Sequence, residues 1–197
     1  MNHPVANPDP ADFEPDGTWY SMVAVGDDLF AVEPNHQELD RVSPMTGVVS
    51  RIVDFSIRYP GPTNWQGPTT ITYHNGDFYV GTLSPFPIGQ GSSKVFKITP
   101  TGQISVFRGN LTTILGLAFD SADRLYVLEN TTGRQFPTPG TGKVIRIDPS
   151  GNRTLIASGL FLPTAMTFGP DGALYVSNVG FGPPANGLGQ VLKITIP

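Results

Sequence analysis

A phrase that returns at nearly constant spacing restricts this chain more than any other feature. LFAVE begins at Leu29, FYVGT at Phe78, LYVLE at Leu125 and LYVSN at Leu174, at intervals of 49, 47 and 49 residues. Within the clearest interval lie four short runs, Leu125–Leu128, Lys143–Ile147, Arg153–Ala157 and Ala165–Phe168. Val, Ile, Leu, Tyr and Thr dominate each run, and clusters of Gly, Pro, Asn and Asp bound it, which is the composition of strands between turns. None is long enough for an ordinary helix. A period in the forties with four strands per repeat predicts an all-β fold, a β-propeller of four-stranded blades.

Each repeat reads in the same register. Innermost strands are expected at Trp19–Val25, Thr69–Tyr73, Ile114–Phe119 and Ala165–Phe168, and second strands at Leu29–Val32, Phe78–Val80, Leu125–Leu128 and Leu174–Ser177. Third strands follow at Leu39–Val42, Lys94–Ile98, Lys143–Ile147 and Gln190–Ile194, and outer strands at Val48–Val53, Gln103–Phe107 and Arg153–Ala157. That makes about four blades, over 18–56, 67–108, 113–158 and 163–197, three complete and one lacking its outer strand. The expectation is a partial ring, preceded by an extended or disordered lead-in over 1–17 with four prolines. The turns SPMTG (43–47), TPTG (99–102), DPSG (148–151), GPDG (169–172) and DSAD (120–123) suit type I turns with a left-handed last residue, and are read as turns instead of calcium loops.

Gly 23 and Pro 20 in 197 residues would suit low complexity, but here both fall between apolar runs at a fixed period and therefore mark turns. A net charge of −4 argues against nucleic acid or an anionic membrane as partner. The absence of cysteine excludes disulfides and thiolate metal sites. No apolar run reaches the length of a membrane span. MNHPVANPDPADFEPDG has neither basic n-region nor apolar core, so this chain is expected to carry no signal peptide.

Longer stretches resemble one family. DGTWYSMVAVGDDLFAVEPNHQELDRVSP, GSSKVFKITPTGQISV, GLGQVLKI and the run from LGLAFDSADRLYVLENTTG to LYVSNVGFGPP are similar to the ScyD/ScyE family, over residues 11–195. The resemblance implies a six-bladed, bacterial, NHL-like propeller related to gluconolactonase-like folds, with relatives that accompany the scytonemin gene cluster. It also implies an extracytoplasmic place, periplasmic or secreted, and longer relatives with blades ahead of the position of Met1. It brings no catalytic residues to carry over.

Chemistry is expected on the second-to-third strand loops, EPNHQE (33–38), TLSPFPIGQGSS (82–93), ENTTGRQFPTPGTG (129–142) and NVGFGPPANGLG (178–189). Three carry a phenylalanine among prolines and glycines, Phe86, Phe136 and Phe181, which either present a ligand surface or cap the blade core. The second strands end in a column of oxygen donors, Glu33, Thr82, Glu129 and Asn178, with Asn35 and Asn130 beside it. Convergence of Glu33, Glu129 and Asn178 on one mouth would hold a Ca²⁺-like ion or a polar ligand. The opposing reading has each Glu or Asn bonding neighbouring backbone and pinning its loop.

His3, His36 and His74 lack metal-ligand spacing and read as scattered surface histidines. PGTGKV (139–144) lacks the first Gly and the Ser/Thr of a phosphate loop, and no Gly-x-Ser-x-Gly elbow occurs. The resulting expectation is a non-enzymatic binding scaffold that engages a small molecule or a protein on its loop face. The alternative is a calcium-dependent, gluconolactonase-like hydrolase using Glu33, Glu129 and Asn178 as metal ligands. Self-association through the incomplete blade edge is a third possibility.

Overall fold

The structure, a computed structural model, describes residues 18–59, 66–134, 136–181 and 189–196. Residues 1–17, expected as the lead-in, and most of the glycine-rich end of the fourth loop (182–188) lie outside the described residues. The protein is all-β, four antiparallel sheets that form propeller blades, with three blades of four strands and one of three.

Two compact units divide the chain, Met1–Pro85 with Lys94–Gly109, and Phe86–Ser93 with Asn110–Pro197. In the first unit, one blade runs β1 (Ser21–Val25), β2 (Asp28–Glu33), β3 (Glu38–Val42) and β4 (Val49–Asp54). A single helical turn follows, α1 (Phe55–Arg58), capped by Asp54, whose Oδ1 accepts from the backbone N–H of Ser56 and Ile57. This turn was not expected from the sequence. The next blade runs β5 (Gly67–His74), β6 (Asp77–Leu83), β7 (Ser93–Ile98) and β8 (Ile104–Leu111), and β1 and β2 pack on β5. Phe30, Val32, Leu39, Phe55, Phe78, Val80 and Phe96 fill the space between, with the rings of Phe30 and Phe78 4.4 Å apart. Each such side chain contributes about 1.5–3 kcal/mol by leaving water.

The second unit holds β9 (Ile114–Phe119), β10 (Leu125–Glu129), β11 (Gly142–Ile147) and β12 (Arg153–Leu160), then β13 (Ala165–Phe168), β14 (Leu174–Asn178) and β15 (Gln190–Ile194). Here β9 packs on β13. Tyr126, Leu128, Val144, Leu160, Leu174 and Val176 form the core, and Tyr126 meets Phe168 edge to face at 5.1 Å. Every residue of β10 is buried, as a central strand covered on both faces must be, whereas β12 is largely exposed.

The turns explain the sharp strand ends. Gly102, Gly151 and Gly172 donate to the carbonyls of Thr99, Asp148 and Gly169 at 2.9–3.0 Å, at φ of +81°, +93° and +74°. Only glycine takes those angles freely. Asp148 and Asp120 turn their carboxylates onto N–H groups of their own turns, Asn152 for the first, Ala122 and Arg124 for the second. The aspartates close hairpins, as the turn reading requires. Among the described residues no helix is long and apolar enough to cross a membrane.

Candidate functional site

The column at the end of the second strands is a repeated hydrogen-bonding device. In the first blade Glu33, fully buried, accepts from the Thr18 N–H at 2.6 Å and from the His36 N–H. In the third blade Glu129 Oε1 accepts from the Thr112 N–H at 2.8 Å, and Oε2 pairs with Lys143 at 3.0 Å. In the fourth, Asn178 Oδ1 accepts from the Phe161 N–H at 2.7 Å, while its amide donates to Gln190. Each acceptor thus reaches back 15 to 17 residues to the chain entering the inner strand of its own blade. That backbone is leaving a loop and has no ladder partner, so a buried side-chain oxygen must satisfy it. Thr82 departs from this device: its hydroxyl accepts from the Lys94 N–H on β7, further along the chain, at 3.1 Å.

Asn130 extends the device from blade to blade within the second unit, its amide donating to the Pro163 carbonyl at 2.8 Å. Asn35 is half-buried in the β2–β3 turn. Glu33 belongs to the first unit, Glu129 and Asn178 to the second. Among the described residues, no three His, Cys, Asp or Glu side chains gather as a metal site.

His36 corrects the sequence reading. It is buried, not a surface residue, with Nδ1 3.1 Å from Glu33. It belongs to a buried polar group in the first blade that sequence reasoning missed, with Glu38, Asp40 and Arg51. Arg51 pairs with Glu38 and, at 2.9 Å, with Asp54, and the Trp19 indole donates to Asp40 at 3.2 Å. Burial pushes the Asp40 carboxyl up to about 6, against the lowering effects of Trp19, Arg51 and His36. ELDRV carries apolar residues only at Leu39 and Val42, and nothing in that pattern marks two acids for the interior.

The phenylalanine loops differ in kind from this column. Phe86 and Phe136 are 59% and 68% exposed, and their rings stack with centroids 5.8 Å apart and planes 28° apart. Both lie in the second unit. Neither ring caps a core. Their loops are fastened from below: Ile88 is buried, Gln90 donates to the Thr132 carbonyl at 2.7 Å, and the Gly91 N–H donates to Thr112 at 3.0 Å. A threonine network sets the other loop. Thr131 Oγ1 accepts from the N–H groups of Gly133 and Thr138, both at 3.0 Å, and meets Thr141 Oγ1 at 2.8 Å. Thr113 bridges to the same strand end, accepting from the Thr131 N–H at 3.1 Å. The threonine doublets of LTT (111–113) and NTT (130–132) are the sequence signal of this network. Phe181 is 46% exposed at the start of the fourth loop.

No family model matches the chain, and no curated protein matches it. Solved structures do. One is a chain of a nidogen/laminin complex, at 17% identity and TM-score 0.63, matched over 93% of this chain and 65% of that one. Another is the extracellular domain of BT4673 from B. thetaiotaomicron, at 15% identity and TM-score 0.56, over 86% and 21%. A third is a luciferin-regenerating enzyme, at 14% identity and TM-score 0.54, over 80% and 54%. This chain therefore spans about two thirds or less of each of these structures. At such identities the likeness carries the fold, and the class it defines with the four blades is the β-propeller.

Proposed function

We propose that the protein is a non-enzymatic binding scaffold of the ScyD/ScyE type, which takes a protein or small-molecule partner on its second-to-third strand loops. One observation carries the reading: Phe86 and Phe136, from neighbouring repeats, stack in solvent on loops held by their own hydrogen bonds. Two aromatic rings left in water lose the stabilisation that covering them would give, about 1.5–3 kcal/mol each. Their backing is rigid, with Pro85, Pro87, Pro137 and Pro139 alongside, so a partner pays little ordering entropy. The family resemblance supports an extracytoplasmic place for this scaffold.

The calcium-dependent hydrolase is the weaker reading. To ligate a metal, Glu33, Glu129 and Asn178 would have to surrender bonds to Thr18, Thr112 and Phe161. Selection from a random peptide library on the intact chain, with counter-selection on Phe86→Ser/Phe136→Ser, tests the scaffold. Enriched peptides are expected to bind the parent saturably and the variant at least about 100-fold more weakly, from roughly 3 kcal/mol of lost burial. Binders that ignore the double variant would refute it. A rise in melting temperature with millimolar Ca²⁺ together with lactone turnover would favour the hydrolase.

A further inference from the structure

A cleft of about 370 Å³ lies in the second unit between the β9–β10 turn and the last described residues after β15. Phe119, Phe168 and Ile196, each part-exposed, line it beside Asp120, Ser121, Arg124 and Gly172, with the buried Tyr126 ring behind them. It involves none of the second-to-third strand loops. Its volume falls in the lower part of the range for small-molecule sites, about 300–1,000 Å³.

The polar groups of this cleft are unevenly used. Asp120 takes four donors: Oδ1 accepts from the N–H of Ala122 and Arg124, and Oδ2 accepts from Arg124 Nε at 2.6 Å and from the Tyr126 hydroxyl at 3.1 Å. A carboxylate with four donors has no ready lone pair left for a ligand. Arg124 is fixed through Nε, while among the described residues its two terminal nitrogens make no hydrogen bond. A guanidinium held in this way keeps its planar end fork for a second acceptor. With Asp120 balancing the charge, what the fork offers is paired donors in fixed geometry more than net positive charge.

We infer that the cleft is a binding site for a small monocarboxylate with an aromatic or branched apolar body, whose carboxylate docks on the Arg124 fork and whose body lies against Phe119, Phe168 and Ile196. These three side chains take the body, and the fork is the anchor that takes the carboxylate. The inference is independent of the Phe86–Phe136 reading, and neither fails with the other.

Titration of the ¹⁵N-labelled chain with 3-phenylpropionate, and separately with its primary amide, tests the site. Saturable shifts are expected at the backbone amides of Ser121, Arg124 and Gly172, with the amide ligand at least about 10-fold weaker because it lacks a second anionic oxygen. Arg124→Gln, which keeps an N–H for Asp120, is expected to weaken the acid about 10-fold or more and the amide little. Ser121→Trp, at an exposed turn position, is expected to fill the mouth and abolish both. The inference is overturned by an absence of saturable shifts up to about 10 mM, by equal binding of acid and amide, or by acid binding that survives Arg124→Gln in a folded variant. If Arg124→Gln does not fold, acid binding that persists in Ser121→Trp overturns it instead.

Discussion

Replacing Asp40 by asparagine should stabilise the protein, and the size of the effect follows from its surroundings. The carboxyl is fully buried on β3, accepts a hydrogen bond from Trp19, and faces Arg51, Glu33 and His36. Burial lifts it from 3.8 to about 6. An acid raised in the fold holds its proton more tightly there than in the unfolded chain. Its stabilising contribution is therefore complete below pH 3.8 and is lost as pH climbs through about 6. At about 1.4 kcal/mol per unit, the ionised carboxylate costs the fold roughly 3 kcal/mol at neutral pH. Asparagine keeps an oxygen for the Trp19 indole and carries no charge to desolvate. Asp40→Asn should therefore gain up to about 3 kcal/mol at pH 7.5, roughly 6–12 °C in melting temperature for a chain of this size, and almost nothing at pH 3.5. Thermal melts of parent and variant across this range read the difference directly, and titrations common to both proteins cancel. A variant less stable than the parent at pH 7.5, or a gain that does not shrink with acid, would refute the reasoning.

Three further outcomes are expected. Glu129→Ala should cost about 2–3 kcal/mol in urea unfolding, because it strands the buried Thr112 N–H, whereas Glu129→Gln keeps an acceptor there and should cost about 1 kcal/mol. Gly133→Ala places a methyl group against the Thr138 side chain; faster amide exchange at Gly133 and Thr138, with core strands unchanged, would show the loop loosened alone. Phe86→Ser/Phe136→Ser should lower stability by about 1 kcal/mol or less, since only the ring stack is lost, so impaired binding in that variant cannot be ascribed to unfolding.

The strands were legible because apolar runs and turn residues alternate at one period. Ile114–Phe119, Ala165–Phe168 and Gln190–Ile194 stand where the sequence places them. β8 and β12 run on to Leu111 and Leu160, past Phe107 and Ala157, where the sequence reading ends them; Gly159 sits inside β12 at φ +76°. The turn α1 escaped notice because four residues carry no helical period, and only the Asp54 cap betrays it. For the column of Glu33, Thr82, Glu129 and Asn178, the repeat showed the alignment but not the direction of the side chains. For Glu33, Glu129 and Asn178 that direction depends on N–H groups 15 to 17 residues earlier that have no ladder partner. Phe86 and Phe136 were legible as loop residues, while their stacking required two loops to meet in space.

The claim that the loops bind through their phenylalanines is tested most directly by nuclear Overhauser contacts between a library-selected peptide and the intact protein. The account predicts contacts from the ring protons of Phe86 and Phe136, together with the protected amides of Gly91 and Thr132. Contacts confined to the hairpin turns around Asp120 and Asp148, with both rings silent, would contradict it.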